Sequence, residues 1–166
     1  MKEHIKLGFV YTIEVVKDGI VVEREEHTHN LMPNEGMTHV SGVILKGASQ
    51  VSLWYVGLYE GAYTPVLTDT MATFPGLAVE TTAYTSGTRP AYAPGTVTNG
   101  NVDNASTPTD FTMNAAKTVY GGFISSASTK GGTAGVLISA VRFATPKVVE
   151  SGSVLRVTAG FATSST

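Results

Sequence analysis

The chain has 166 residues, no cysteine and a formal net charge of −2. The length suits one domain over residues 1–166, and the lack of cysteine excludes disulfides and thiolate metal sites. No basic stretch follows the chain, which argues against binding to nucleic-acid phosphates. No apolar run reaches the roughly 18 residues that cross a bilayer, and early charges interrupt any signal-peptide pattern. We therefore expect neither membrane insertion nor secretory export.

The charged fraction is unusually low. Charged side chains make up 14% of the sequence, against about 25% in ordinary soluble domains. Residues 1–46 carry 12 of the 24 charges, and the remaining 120 residues carry the other 12. A threonine-rich β-protein explains this, because threonine suits exposed strands. Partner proteins covering much of the surface also explain it, because interface cores are poor in charge.

The N-terminal segment has the pattern of an antiparallel ribbon. Apolar residues from Ile5 to Val15 recur at every second position, which predicts a long amphipathic strand over residues 4–17. Asp18-Gly19 then supplies the positive φ values of a tight hairpin turn. A second strand is predicted from Ile20 to about His29. We expect the charged ribbon to face water or a complementary charged patch.

One good helix is predicted, from about Pro33 to Lys46. Proline suits a first helical turn because it has no N–H to lose there. Gly47 fits the left-handed position that follows a helix. Along the helix, Met37, Val40 and Ile44 are spaced to line one face.

The middle of the chain predicts strands separated by loops. Residues 52–60 are almost continuously apolar, which indicates a central strand covered on both faces. Residues 61–76 are predicted as mostly loop, with one short helical turn over residues 71–74 after Thr68-Asp69-Thr70. Another strand is predicted over residues 78–84.

Residues 87–110 form an irregular excursion rich in Pro, Gly, Asn and Thr. Asn99-Gly100 predicts a small hairpin within it. A long stretch without regular structure inside a domain is usually functional or disordered. We interpret it as an arm, or as a loop that becomes ordered on a partner, and not as a domain boundary.

Three closing strands are predicted over residues 111–126, 135–143 and 153–162, and Val148-Val149 predicts a further short one. The total is about eight strands with turn signals between them, which is typical of a sandwich. The predicted fold class is mainly β: an antiparallel, jelly-roll-like β-sandwich with one short helix.

Residue patterns for chemistry are weak. Glu25, His27 and His29 alternate on one predicted strand face, but no fourth ligand completes a metal site. Glu60 and Glu80 would have to share a cleft to act as a carboxylate pair, and no nucleophile elbow occurs. We predict that the protein is not an enzyme and uses no metal or cofactor.

The aromatic residues of the central region have two interpretations. Tyrosine and tryptophan bury a large area while keeping a polar tip, so they favour a core or a subunit contact. An exposed set on a β-sandwich can instead form a platform for sugars, which would need open rings near Trp54 or Tyr92.

Two segments resemble the head-decoration, or cement, proteins of tailed bacteriophages. The C-terminal run from Val141 to Val157 looks like the closing segment of such virion proteins. The first segment includes these residues: Trp54-Tyr55-Val56-Gly57-Leu58-Tyr59-Glu60-Gly61, Tyr63-Thr64-Pro65, residues 68–72, Glu80, Tyr84 and Arg89-Pro90.

The resemblance implies a structural protein on the exterior of an icosahedral capsid, assembled in the host cytoplasm. It implies binding to the major capsid protein and self-association into a homodimer or homotrimer. The alternative is a tail or fibre component that recognises host glycans. The residues that we predict at protein contacts are Trp54, Tyr55, Tyr59, Tyr63, Arg89, Tyr92, Asn99, Met37 and Val40.

Overall fold

The computed structural model describes the backbone of residues 5–165 and the side chains of residues 7–26 and 30–163. These residues form ten strands and two helices. The strands are β1 (Ile5–Lys17), β2 (Ile20–His29), β3 (Trp54–Tyr59), β4 (Glu80–Thr81), β5 (Ala91–Tyr92), β6 (Val102–Asp103), β7 (Thr109–Thr112), β8 (Lys117–Ser125), β9 (Leu137–Val149) and β10 (Val154–Ser165). The helices are α1 (Asn34–Lys46) and α2 (Phe74–Ala78).

The strands form two five-stranded sheets. Sheet A has the order β2-β1-β10-β6, with β7 also paired to β10. Sheet B has the order β4-β3-β8-β9, with β5 also paired to β3. Every pairing is antiparallel. The predicted antiparallel β-sandwich is confirmed, with ten strands where the sequence predicted about eight and two helices where it predicted one.

Sheet A is built on the pairing of the first and last strands. β1 and β10 pair in unbroken register from Ile5 opposite Ser165 to Val16 opposite Val154. The predicted ribbon of β1 and β2 is also confirmed. Its turn has φ of 51° at Asp18 and 78° at Gly19, which matches the twist of the flanking strands.

The main core lies between the two sheets. Sheet A contributes alternate residues such as Phe9, Tyr11 and Ile13, while sheet B contributes Val56 and Leu58. Alternation places these side chains on one face of each strand. Burying fully such an aliphatic side chain stabilises the fold by about 1.5–3 kcal/mol.

Sheet B is buried on its second face as well. Between the core residues of β3, Gly57 and Tyr59 point to the opposite side. There a second cluster contains Tyr59, Met71, Phe74 and Phe123. A Cβ on Gly57 would clash with the Phe123 ring, so glycine is required for this packing. The prediction of a central strand covered on both faces is confirmed.

Helix α1 begins and ends as predicted. Pro33 precedes it with φ of −64°, and Gly47 follows it in the left-handed conformation with φ of 66°. Gly36 is buried against the backbone of β9, where a Cβ would meet the Ile138 carbonyl oxygen. The Glu35 carboxylate accepts hydrogen bonds from the backbone N–H groups of Met71 and Leu137. The first turn is therefore tied to both sheet B and the segment that covers it.

The predicted strand over residues 111–126 is wrong, because the chain changes sheets within it. Residues 109–112 belong to sheet A and residues 117–125 to sheet B. At the crossing, Met113 exchanges backbone hydrogen bonds with Gly152 and Ser153. Both halves have strong β-propensity, so only the polar and small residues 114–116 mark the break.

Residues 68–84 also differ from prediction. The short helix lies at Phe74–Ala78, later than expected, with Pro75 in its first turn. The Asp69 carboxylate does not cap it and instead accepts hydrogen bonds from the Tyr63 hydroxyl and the Val66 N–H. The predicted strand over 78–84 is reduced to Glu80–Thr81. Val148-Val149 is the end of the long strand β9 and not a separate strand.

The excursion over residues 87–110 is held against the sandwich. Its Asn99-Gly100 turn has the predicted positive φ values, 50° and 78°. Asn104 is buried, donates to the Val157 carbonyl and accepts from the Ala159 N–H. This side chain replaces ladder hydrogen bonds that an irregular segment cannot make, so the excursion is anchored to β10 and is not a free arm.

Two buried tyrosine hydroxyls make a test of this packing. The Tyr11 hydroxyl lies 2.6 Å from the Ser139 hydroxyl oxygen, whereas the buried Tyr84 hydroxyl has no hydrogen-bond partner among the described residues. Tyr11→Phe is expected to lower the free energy of unfolding by about 1 kcal/mol. Tyr84→Phe, the matched control, should be neutral or stabilising because an unsatisfied polar group is removed. Urea denaturation measures both, and equal losses would contradict the assignment.

Candidate functional site

Three of the predicted contact residues are inside the subunit. Tyr59 and Arg89 are fully buried, and Tyr92 is almost so. Tyr59 and Tyr92 each donate a hydroxyl hydrogen bond to a backbone carbonyl, that of Val141 and that of Ala159 respectively. Their polar tips are therefore satisfied internally. These three side chains hold the fold together and are not available at its surface.

Arg89 is the centre of a buried hydrogen-bond network. Its guanidinium makes a fork with the Glu80 carboxylate, at 2.8 Å from Nε and 2.6 Å from Nη2. Its other N–H groups donate to the carbonyls of Ala127 and Gly132 and to the Ser125 hydroxyl. The ring of Phe123 lies 5.2 Å from the guanidinium carbon. With all donors used, the charge is paired and solvated by the protein, which is the condition for burying it.

Tyr63, Tyr55 and Asn99 remain nearer the surface. Tyr63 is half-buried and donates its hydroxyl to Asp69 at 2.7 Å. Tyr55 is half-buried on β3, and Asn99 is exposed at its hairpin tip. These three residues lie on different parts of the sandwich, so the structure does not bring them together into one site.

The structure does bring Val40 and Trp54 together, at an apolar groove of about 520 Å³ between α1 and the end of the sandwich. We call this the helix groove. None of the described residues that line it carries a charge. Its main apolar walls are formed by Leu7, Phe9, Val40, Ile44, Trp54 and Phe161.

Helix α1 leaves most of its apolar surface open. Gly36 is its one buried residue. Ile44 and Leu45 are 70% and 78% exposed, and Met37 on the outward side is 39% exposed. An open apolar patch of this kind marks a contact surface. Sequence reasoning missed Leu45, although adjacent apolar residues lie about 100° apart on a helix and cannot both face one core.

The aromatic rings do not form a platform for sugars. Tyr92 is buried. Trp54 is half-buried, with its ring edge against His39 at 5.6 Å between centroids. Neither ring presents an open flat face, so these residues give no support to the glycan alternative.

The candidate chemical groups are engaged in structural contacts. Glu80 binds Arg89, and Glu60 lies 2.9 Å from Lys117. These two carboxylates do not share a cleft. The side chains of His27 and His29 lie outside the described residues, and the described part of the chain has no cluster of metal-ligating side chains. No helix within residues 5–165 is long and apolar enough to span a bilayer.

The charges of the N-terminal ribbon are paired within the chain. On the outer face of sheet A, Arg24 contacts Glu14 and Glu26, and Arg156 makes a fork with Asp110. On the other side, Lys147 is buried and contacts Glu23 and Glu25. Burial lowers the pKa of Lys147, but the two carboxylates outweigh it and the pKa is raised. The ribbon therefore closes one side of the sandwich.

Comparisons with known proteins give no relative. No protein-family model matches the chain, and no curated protein matches it either. The interpretation of the surface therefore depends on the geometry described above and on the resemblance of the two sequence segments.

The fork between Arg89 and Glu80 predicts a large effect of burial. Glu80→Gln leaves the guanidinium charge buried without its partner, and we expect a loss of about 3–5 kcal/mol in the free energy of unfolding. Asp110→Asn is the matched control, because Asp110 makes a similar fork with Arg156 at the surface. There the loss should stay below about 1 kcal/mol. Chemical denaturation distinguishes the two, and similar losses would show that burial of the fork is unimportant.

Tyr63 predicts a shift in the alkaline titration. Its hydrogen bond to Asp69, with burial, raises its pKa to about 12 from an ordinary value of about 10. The folded state thus favours the protonated phenol, and this contribution to stability is lost as pH rises from about 10 through 12. Ultraviolet difference spectroscopy should find this late-titrating phenol absent in Tyr63→Phe. In Asp69→Asn the phenol should titrate earlier, and an unchanged titration would contradict the assignment.

Proposed function

We propose that the chain is a structural virion protein that binds the outer surface of an icosahedral phage capsid and joins neighbouring major-capsid subunits. The observation that carries the proposal is the helix groove, together with the open apolar face of α1. Fully exposed apolar side chains such as Ile44 and Leu45 cost stability in an isolated subunit, and a protein partner offsets that cost by covering them.

The chemistry of the groove favours an apolar partner segment. Its described lining is uncharged, so a charged partner side chain would lose its hydration there without gaining a counter-ion. Interface cores are likewise poor in charge and rich in aromatic residues. We propose that an uncharged segment of the major capsid protein occupies the groove, with Trp54 and Val40 as contacts.

The cement role follows from preferential binding. A protein that binds the assembled shell and not its dissociated subunits stabilises the shell by mass action. The resemblance of residues 54–90 and 141–157 to decoration proteins supports this role. Self-association into a homodimer or homotrimer belongs to the same proposal, because one oligomer then contacts several capsid subunits.

The test uses shells assembled from the major capsid protein of the proposed phage. Bound chain should raise their resistance to heat and low salt. Ile44→Asp places a charge beside the groove and should weaken binding about tenfold or more in a cosedimentation assay. Val148→Asp is the matched control, because Val148 is equally exposed, at 70%, and lies on β9 away from the groove.

Shells with equal resistance whether or not the chain is added would overturn the cement role. Equal binding by the Ile44→Asp and Val148→Asp variants would instead place the contact away from the helix groove. Circular dichroism checks that both variants keep the fold, since both changes are at exposed positions.

A further inference from the structure

Arg142 differs from the other arginines of the chain. Of the four arginines, Arg24, Arg89 and Arg156 each contact a carboxylate. Arg142 contacts none within the described residues, where it makes one side-chain hydrogen bond, from Nη1 to the Thr64 hydroxyl at 3.2 Å. In a chain so poor in charge, this is a half-buried cation without a counter-ion in the described structure.

The guanidinium is nevertheless held in position. Thr64 binds one of its nitrogens, and the Tyr120 ring lies 5.7 Å from its central carbon. The backbone of β9 fixes the other end of the side chain. A positioned guanidinium loses little side-chain freedom when it binds, so less of the binding free energy is spent on ordering it.

Arg142 lines a small pocket that has donors and lacks acids. The pocket has a volume of about 240 Å³, and its described lining consists of Asn30, Leu31, Thr64, Pro65, Ala140 and Arg142. Asn30 uses one amide hydrogen for the Ser139 hydroxyl, which leaves a second for a ligand. Nε and Nη2 of Arg142 have no acceptor among the described residues.

We propose that this pocket binds a carboxylate, carried by an acidic side chain or by a chain terminus of a partner protein. Nε and Nη2 together present the planar fork that matches the two oxygens of a carboxylate. The Asn30 amide and the Thr64 hydroxyl supply further hydrogen bonds. The site lies on the β9 side of the fold and does not share residues with the helix groove, so it does not depend on the proposed capsid role.

The test is a titration of the full chain followed by NMR shifts of the Arg142 and Thr64 amides. N-acetyl-aspartate methylamide presents a side-chain carboxylate, N-acetylalanine presents a main-chain carboxylate, and N-acetyl-asparagine methylamide is the neutral control. We expect saturable shifts with one or both carboxylates and none with the asparagine compound. The tighter of the two carboxylates identifies the source.

Variants separate the site from general charge. Arg142→Gln should weaken carboxylate binding roughly ten- to a hundredfold, the range of a charge-assisted hydrogen-bonded pair. Arg142→Lys should also weaken it, because the charge remains but the fork is lost. Arg24→Gln is the matched control and should leave the affinity unchanged. Equal binding of the asparagine compound or of sulfate, unchanged affinity in Arg142→Gln, or no saturable shift with either carboxylate overturns the proposal.

Discussion

The fold depends on the fact that sheet B has no polar face. β3 alternates Val56 and Leu58 on one side with Gly57 and Tyr59 on the other, and all four residues are buried. Both faces must therefore be covered. Sheet A covers the first, and residues 61–79 with helix α2 cover the second. Because Glu35 fastens helix α1 to both residues 61–79 and β9, the position of the helix groove follows from the same requirement.

Local patterns in the sequence predicted the elements that depend on neighbouring residues. The β1–β2 hairpin was predictable because Asp18-Gly19 supplies the turn and the apolar period supplies the strands. Helix α1 was predictable because Pro33 and Gly47 mark its ends. Strand β3 was predictable as doubly buried because its apolar run is unbroken. Each of these signals acts within a few residues, where backbone geometry limits the choices.

Features that depend on distant residues were not predictable in this way. The break at residues 113–116 exists because the chain changes sheets, and Tyr84 and Ser153 determine that crossing from elsewhere in the sequence. Arg89 looked like a surface residue because its partners, Glu80 and the carbonyls of Ala127 and Gly132, come from other loops. The site was predicted in part: Val40 and Trp54 line the groove, but the exposure of Leu45 and the unpaired state of Arg142 emerge only when the other charges and apolar residues find their partners.

The pairing of β1 with β10 has a consequence for synthesis. Phe9 and Tyr11 leave the ribosome early, but their partners across the ladder, Phe161 and Ala159, follow about 150 residues later. At 5–20 residues per second this interval is roughly ten to thirty seconds. During that time the apolar side of β1 has no sheet to complete, and its unpaired edge is open to other chains. A nascent chain of this protein therefore needs a chaperone or a slow, post-translational closure, and crowded expression should favour aggregation before the last strand arrives.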